Sequence, residues 1–142
     1  MSAARAAIAL GSNLGDRAPT LARARDAIGR LPGTRLLGAS PVLETEPLGP
    51  VPQGPYLNQM LLVETALEPR ALLDALLAIE QAEGRVRTER WGPRTLDCDI
   101  VLFEGRRSAE PGLTVPHPEL PHRDFWRSGL AALGVAPDGG GW

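Results

Sequence analysis

Apolar and polar positions along the chain mark out a short set of elements. Residues 6–10 form an apolar run that stops at Gly11, which predicts a buried strand. After Asp16, Leu21, Ala24, Ile28 and Leu31 recur at helical spacing, and Pro32-Gly33 closes that helix. Residues 35–43 alternate less cleanly. Residues 46–55 hold four prolines and two glycines and predict a stiff loop, partly polyproline II. Over residues 56–67, Leu57, Gln59, Leu61, Val63 and Thr65 share one face of a strand, with Met60 and Leu62 on the other. Apolar residues on both faces predict an internal strand.

Glu68-Pro69 starts a second helix. Leu72, Leu73, Leu76, Leu77 and Ile79 form its apolar stripe, Glu80 falls at the stripe's edge, and Gly84 ends it. Residues 96–103 read as a strand, 105–108 as a turn, 113–115 as a short edge strand and 125–133 as a final helix, before a glycine-rich tail. The order is β-α-β-β-α-β. It predicts an α+β, ferredoxin-like sandwich: an antiparallel sheet with both helices packed on one face, plus a short C-terminal helical extension. One domain spans residues 1–142. Unrelated activities share that arrangement, so function has to be argued from the residues.

Composition narrows the field. A chain of 142 residues with 43% hydrophobic content suits a single core. A formal net charge of -2 argues against broad attraction to nucleic acid or an anionic membrane. All 15 basic residues are arginine, which rules out a P-loop lysine and a lysine Schiff base. The one cysteine, Cys98, cannot form an internal disulfide, and no stretch reaches the length of a membrane-spanning helix. The expectation is a cytoplasmic monomer.

The densest chemistry lies at Asp97-Cys98-Asp99-Ile100. Alternation along a strand puts Asp97 and Asp99 on one face and Leu96, Cys98, Ile100 and Leu102 on the other. Paired carboxylates repel each other unless a hard cation sits between them, and aspartate oxygens plus substrate phosphates are how Mg²⁺ is usually held. Taken alone, the pair better suits two exposed acids beside arginines. Arg85, Arg87, Arg90 and Arg94 precede it, opposed only by Glu89, and guanidinium forks match phosphate oxygens. Trp91-Gly92-Pro93 gives that loop a rigid turn. There is no P-loop and no G-x-G-x-x-G motif. The glycines around Ser12-Asn13 fit a tight strand-to-helix turn. His117 suits either a structural role or a hydrogen bond to a phosphate oxygen. Tyr56 and Asn58 suit a flat heterocycle, or simply the start of a strand.

Taken in order, 9–14, 44–49, 56–58, 84–87, 90–100 and 113–117 resemble the 6-hydroxymethyl-7,8-dihydropterin pyrophosphokinase family over nearly the whole chain. The run Arg90-Trp91-Gly92-Pro93-Arg94-Thr95-Leu96-Asp97-Cys98-Asp99-Ile100 is the most specific part. The resemblance implies transfer of pyrophosphate from ATP to the pterin alcohol in folate biosynthesis, with two Mg²⁺ ions held by Asp97 and Asp99. It implies catalytic roles for Arg85, Arg94, Asp97 and Asp99. Gly11, Thr45, Leu48, Tyr56, Asn58 and Phe125 would form the pterin pocket, the ring stacked between Tyr56 and Phe125. Glu80, Arg85, Arg87, Trp91, Arg94, Ile100, Thr114, His117 and Arg123 would serve the nucleotide. The chain departs from the family pattern at Gly112, where some members have arginine, and at Pro118, where many have tyrosine. Two other readings remain: an RNA-binding module, which would need sheet aromatics and a basic surface, and an acylphosphatase-like hydrolase, which would need no paired aspartates.

Overall fold

The structure is a computed structural model that describes residues 3–46, 53–84 and 95–136. The elements run β1 (Ala4–Ser12), α1 (Arg17–Gly29), β2 (Thr34–Ala39), β3 (Leu43–Thr45), β4 (Tyr56–Thr65), α2 (Pro69–Ala82), β5 (Asp97–Phe103), β6 (Ser108–Glu110), β7 (Leu113–Val115), a 3₁₀ turn (Leu120–His122) and α3 (Asp124–Ala132). This is an α+β fold. The main sheet is antiparallel in the order β2-β4-β1-β5, with β3 extending the pairing of β4. The internal placement of residues 56–67 agrees with the apolar character of both faces.

Alternation assigns each face its own core. Ile8, Leu10, Leu61, Val63, Cys98 and Ile100 pack in one cluster with Leu21, Ala24 and Ile28 of α1 and Leu72 and Leu76 of α2. Ala7, Ala9 and Met60, pointing the opposite way, pack with Trp126 and Leu130 of α3 and Leu120 of the 3₁₀ turn. The third helix therefore covers the opposite face from the first two. It approaches closely: a Cβ on Gly129 would lie 2.7 Å from Met60 Cβ.

Two expectations from alternation are corrected. Leu102 does not share a face with Cys98 and Ile100 but joins the α3 cluster. The register jumps from Ile8↔Ile100 to Ala7↔Leu102, so Val101 is an extra residue in β5. A bulge of this kind resets the alternation beyond it. Residues 113–115 are a strand, but not an edge of the main sheet. They pair with β6 in a separate two-stranded ribbon, because the turn after β5 folds that segment back on itself.

Candidate active site

The site begins with two rows of cross-strand neighbours. Asp97 lies opposite Gly11, Gly11 opposite Asn58, and Asn58 opposite Leu43, in one row over four strands. The neighbouring row runs Asp99, Ala9, Met60. Ala9 and Met60 belong to the cluster under α3, so both aspartates project from the α3 face of the sheet. Neighbouring strands are ~4.8 Å apart. Asn58 and Asp97 thus stand two strands apart, with only Gly11 on the floor between them. A Cβ there would come 3.4 Å from Asn58 Oδ1 and 3.5 Å from Tyr56 Cδ1. Gly11 is not at positive φ. Its missing side chain supplies room rather than an unusual backbone conformation.

The half on the Asn58 side is polar at its base and aromatic at its wall. Asn58 Nδ2 donates to Thr45 Oγ1 at 2.6 Å and to the Leu43 carbonyl at 3.4 Å. Thr45 pairs with Tyr56 across β3 and β4. Phe125 and Trp126 of α3 share a cleft with Ser40, Pro41, Leu43 and Asn58. The turn after β1 holds the approach to β4. Asn13 Nδ2 donates to Gln53 Oε1 at 2.6 Å and to the Gly54 carbonyl at 3.0 Å, and Arg17 Nη1 donates to the Pro55 carbonyl at 2.9 Å. The sequence shows Asn13 only as part of a turn; its long-range contacts have no periodic signature.

The other half is a cavity of about 490 Å³ between α2, β5 and β7. Asp97, Asp99, Ile100, Glu80, Thr114 and His117 line it, together with Arg70, which no sequence pattern marked out. Glu80 is buried rather than at the edge of its stripe, and its Oε2 accepts the Cys98 N–H at 2.7 Å. The bulge contributes directly: the His117 N–H donates to the Val101 carbonyl at 2.9 Å. The Glu119 N–H donates to His117 Nδ1 at 3.1 Å, which leaves the ring proton on Nε2, 3.8 Å from Asp99 Oδ1. Burial, aided by the nearby Arg123 charge and opposed by Glu119, lowers the His117 pKa to about 4. At that value the ring is neutral near pH 7 and offers an Nε2–H. The imidazole meets the Trp126 ring edge-on at 4.8 Å, and the Arg123 guanidinium lies 4.4 Å from the same indole centroid.

Gly11, Thr45, Tyr56, Asn58 and Phe125 thus belong to one half, and Glu80, Asp97, Asp99, Ile100, Thr114 and His117 to the other. Arg123 precedes α3 beside the second half. Leu48, Arg85, Arg87, Trp91 and Arg94 lie outside the described residues.

A sequence model of the 7,8-dihydro-6-hydroxymethylpterin-pyrophosphokinase family matches residues 7–134. The 2-amino-4-hydroxy-6-hydroxymethyldihydropteridine pyrophosphokinase of Pseudomonas aeruginosa is 48% identical over 134 residues, covering 94% of this chain and 82% of its own. The protein of that name from Methylorubrum extorquens is 40% identical over 134 residues (94% and 84%), and the one from Haemophilus influenzae 44% identical over 118 residues (83% and 74%). A match that runs from β1 through α3 takes in both halves of the site, and the chain belongs to the 7,8-dihydro-6-hydroxymethylpterin-pyrophosphokinase family.

Proposed function

We propose that this chain transfers a diphosphoryl group from ATP to 6-hydroxymethyl-7,8-dihydropterin, giving the pterin diphosphate and AMP in folate biosynthesis. The observation that carries the reading is the row Asn58–Gly11–Asp97, which joins an amide-and-aromatic half to a carboxylate-lined cavity across an open floor. A flat heterocycle with a short alcohol arm suits the first half, and a polyphosphate suits the second. The strand order β2-β4-β1-β5, with α1 and α2 against one face, supports the ferredoxin-like βαββαβ assignment, α3 being the C-terminal extension.

In the reaction the pterin hydroxyl oxygen bonds to the β-phosphorus as the bond from that phosphorus to the α,β-bridging oxygen breaks. AMP leaves with the bridging oxygen, and the hydroxyl proton is released. Asn58 and Thr45 hold the heterocycle edge, and Tyr56 and Phe125 its faces. His117 donates its Nε2–H to a phosphate oxygen. Its lowered pKa keeps that proton inventory constant near neutrality.

The donor set fits Mg²⁺. Asp97 and Asp99 are two hard carboxylates side by side, and the Asp99 side chain is 38% exposed at the cavity. Among the described residues no group of three His, Cys, Asp or Glu side chains forms a closed cage. Mg²⁺ held by one or two carboxylates would take its remaining ligands from substrate phosphates and water. Two such ions would neutralise charge on the attacking and leaving oxygens. Arg85, Arg94, Arg87 and Arg123 would neutralise the transferred group, Trp91 would serve the nucleotide and Leu48 the pterin. No helix among the described residues is long and apolar enough to cross a membrane. The single cysteine suits a reducing compartment, and we take the protein as a cytoplasmic monomer.

The test is incubation with Mg²⁺, ATP and the pterin alcohol. AMP and pterin diphosphate should appear in equal amounts. ADP or orthophosphate as the product would overturn the assignment, the latter in favour of the hydrolase reading.

A further inference from the structure

Glu80 is 4% exposed near the C-terminal end of α2. A carboxyl group in such a place requires strong hydrogen bonding. Its Oε2 takes the backbone N–H of Cys98 at 2.7 Å. Cys98 is the residue between the two aspartates, and its side chain is buried in the cluster that joins β5 to α2. Among the described residues β5 is an edge strand, paired in the main sheet only with β1. Along an antiparallel edge strand, successive residues turn their N–H groups alternately toward the partner strand and away from it. The Cys98 N–H points away from β1, to the side where no strand among the described residues lies alongside, and meets Glu80 instead. An unpaired amide there would pull β5 toward any other acceptor and twist the carboxylates on either side out of register.

We propose that Glu80 is a positioning residue for the Asp97–Asp99 pair. It replaces the missing neighbour strand at one residue and so fixes the backbone from which both carboxylates project, instead of serving chiefly as a nucleotide contact. The proposal rests on the reading of that pair as magnesium ligands. Partners that orient metal ligands commonly affect metal affinity by about 10- to 100-fold.

Two conservative substitutions separate reach from charge. Glu80→Gln keeps the side-chain length and a carbonyl acceptor but loses the charge. Glu80→Asp keeps the charge but withdraws the acceptor by ~1.5 Å, one carbon–carbon bond. Amide hydrogen exchange at Cys98 in the ligand-free protein, and Mn²⁺ binding to the protein saturated with a non-hydrolysable ATP analogue, are measured for both. Glu80→Gln should keep Cys98 protected and bind Mn²⁺ within about threefold of wild type. Glu80→Asp should expose the Cys98 amide and weaken Mn²⁺ by about 10-fold or more. Its affinity for the analogue at saturating metal should stay unchanged. The reverse order, or equal metal binding in both variants and wild type, overturns the proposal. So does a loss of analogue affinity at saturating metal that is the same in the two variants. The exchange measurement needs no turnover. A wild-type protein that makes no AMP would sink the functional reading while leaving the Cys98 result to be judged separately.

Discussion

The two faces of the sheet are made by the same strands yet do different work. On the face under α1 and α2, Ile8, Leu10, Leu61, Val63, Cys98 and Ile100 are packed edge to edge against two helices. On the other face, α3 covers Ala7, Ala9 and Met60; Asp99 stands at the β5 end of the Ala9–Met60 row, the next row carries Asn58, Gly11 and Asp97, and Tyr56 lies past it on β4. The closed face supplies stability and so holds the strands in register. The half-covered face can then carry groups that do not help folding, such as adjacent carboxylates and a glycine in mid-sheet. A one-residue step along a strand moves from one regime to the other.

The comparison is sharpest where a substitution should strike one face alone. Asp97→Ala or Asp99→Ala should lower turnover by about a thousandfold or more, equivalent to ~4 kcal/mol of transition-state stabilisation, while the melting temperature stays near that of the parent. Near-parental AMP formation in either variant would remove the metal role. Leu61→Ala on the closed face should do the reverse. Truncating a fully buried leucine costs about 2–5 kcal/mol, which urea unfolding would register, with kcat per folded molecule preserved. Loss of kcat without loss of stability would contradict the division between faces.

Gly11→Val tests the open floor between the two halves. Valine suits a strand, so stability should change little, but its methyl groups would crowd Asn58 and Tyr56. The pterin KM should rise about 10-fold, a loss of ~1.4 kcal/mol, with nucleotide affinity unaffected. An unchanged pterin KM would mean that the floor is not part of the pocket.

The smallest effect is pH dependence. His117 titrates at about 4 when folded, against 6.5 for the ordinary group. Between those values the unfolded chain binds a proton that the folded one does not. Stability should therefore fall as pH drops from 6.5 towards about 4, and this contribution should level off below that. His117→Gln should remove this slope. Glu83 and Glu104 also have lowered pKa values, through hydrogen bonds from the Arg23 side chain and the Arg5 backbone respectively. Their acid-side contribution is common to both proteins and cancels in the difference. Parallel urea midpoints across pH 4–7 would contradict the burial assigned to His117.

Much of the fold was readable because it follows from spacing. The 3–4 residue recurrence from Leu21 to Ile28 and the two-residue alternation from Leu57 to Thr65 translate directly into a helix and an internal strand. Asp97 and Asp99 share a face for the same reason. Leu102 escaped because a bulge leaves no periodic trace: Val101 is as apolar as its neighbours, and only pairing with β1 shows it to be the extra residue. Spacing from Leu73 and Leu76 puts Glu80 only at the edge of its stripe, and a carboxyl group is normally excluded from a core. Its burial depends on a backbone amide 18 residues away.

By itself the sequence determined the order and type of the main elements, the faces presented by residues 57–65 and 97–100, and the acidic, arginine-rich chemistry concentrated around Asp97. Those are local properties, set by side-chain volume, polarity and backbone preference. Tertiary structure decided which strand became the open edge, where the bulge fell, and that Gly11 would lie between Asn58 and Asp97. Each of these depends on pairing between segments distant in the chain, and no short window of sequence carries that information.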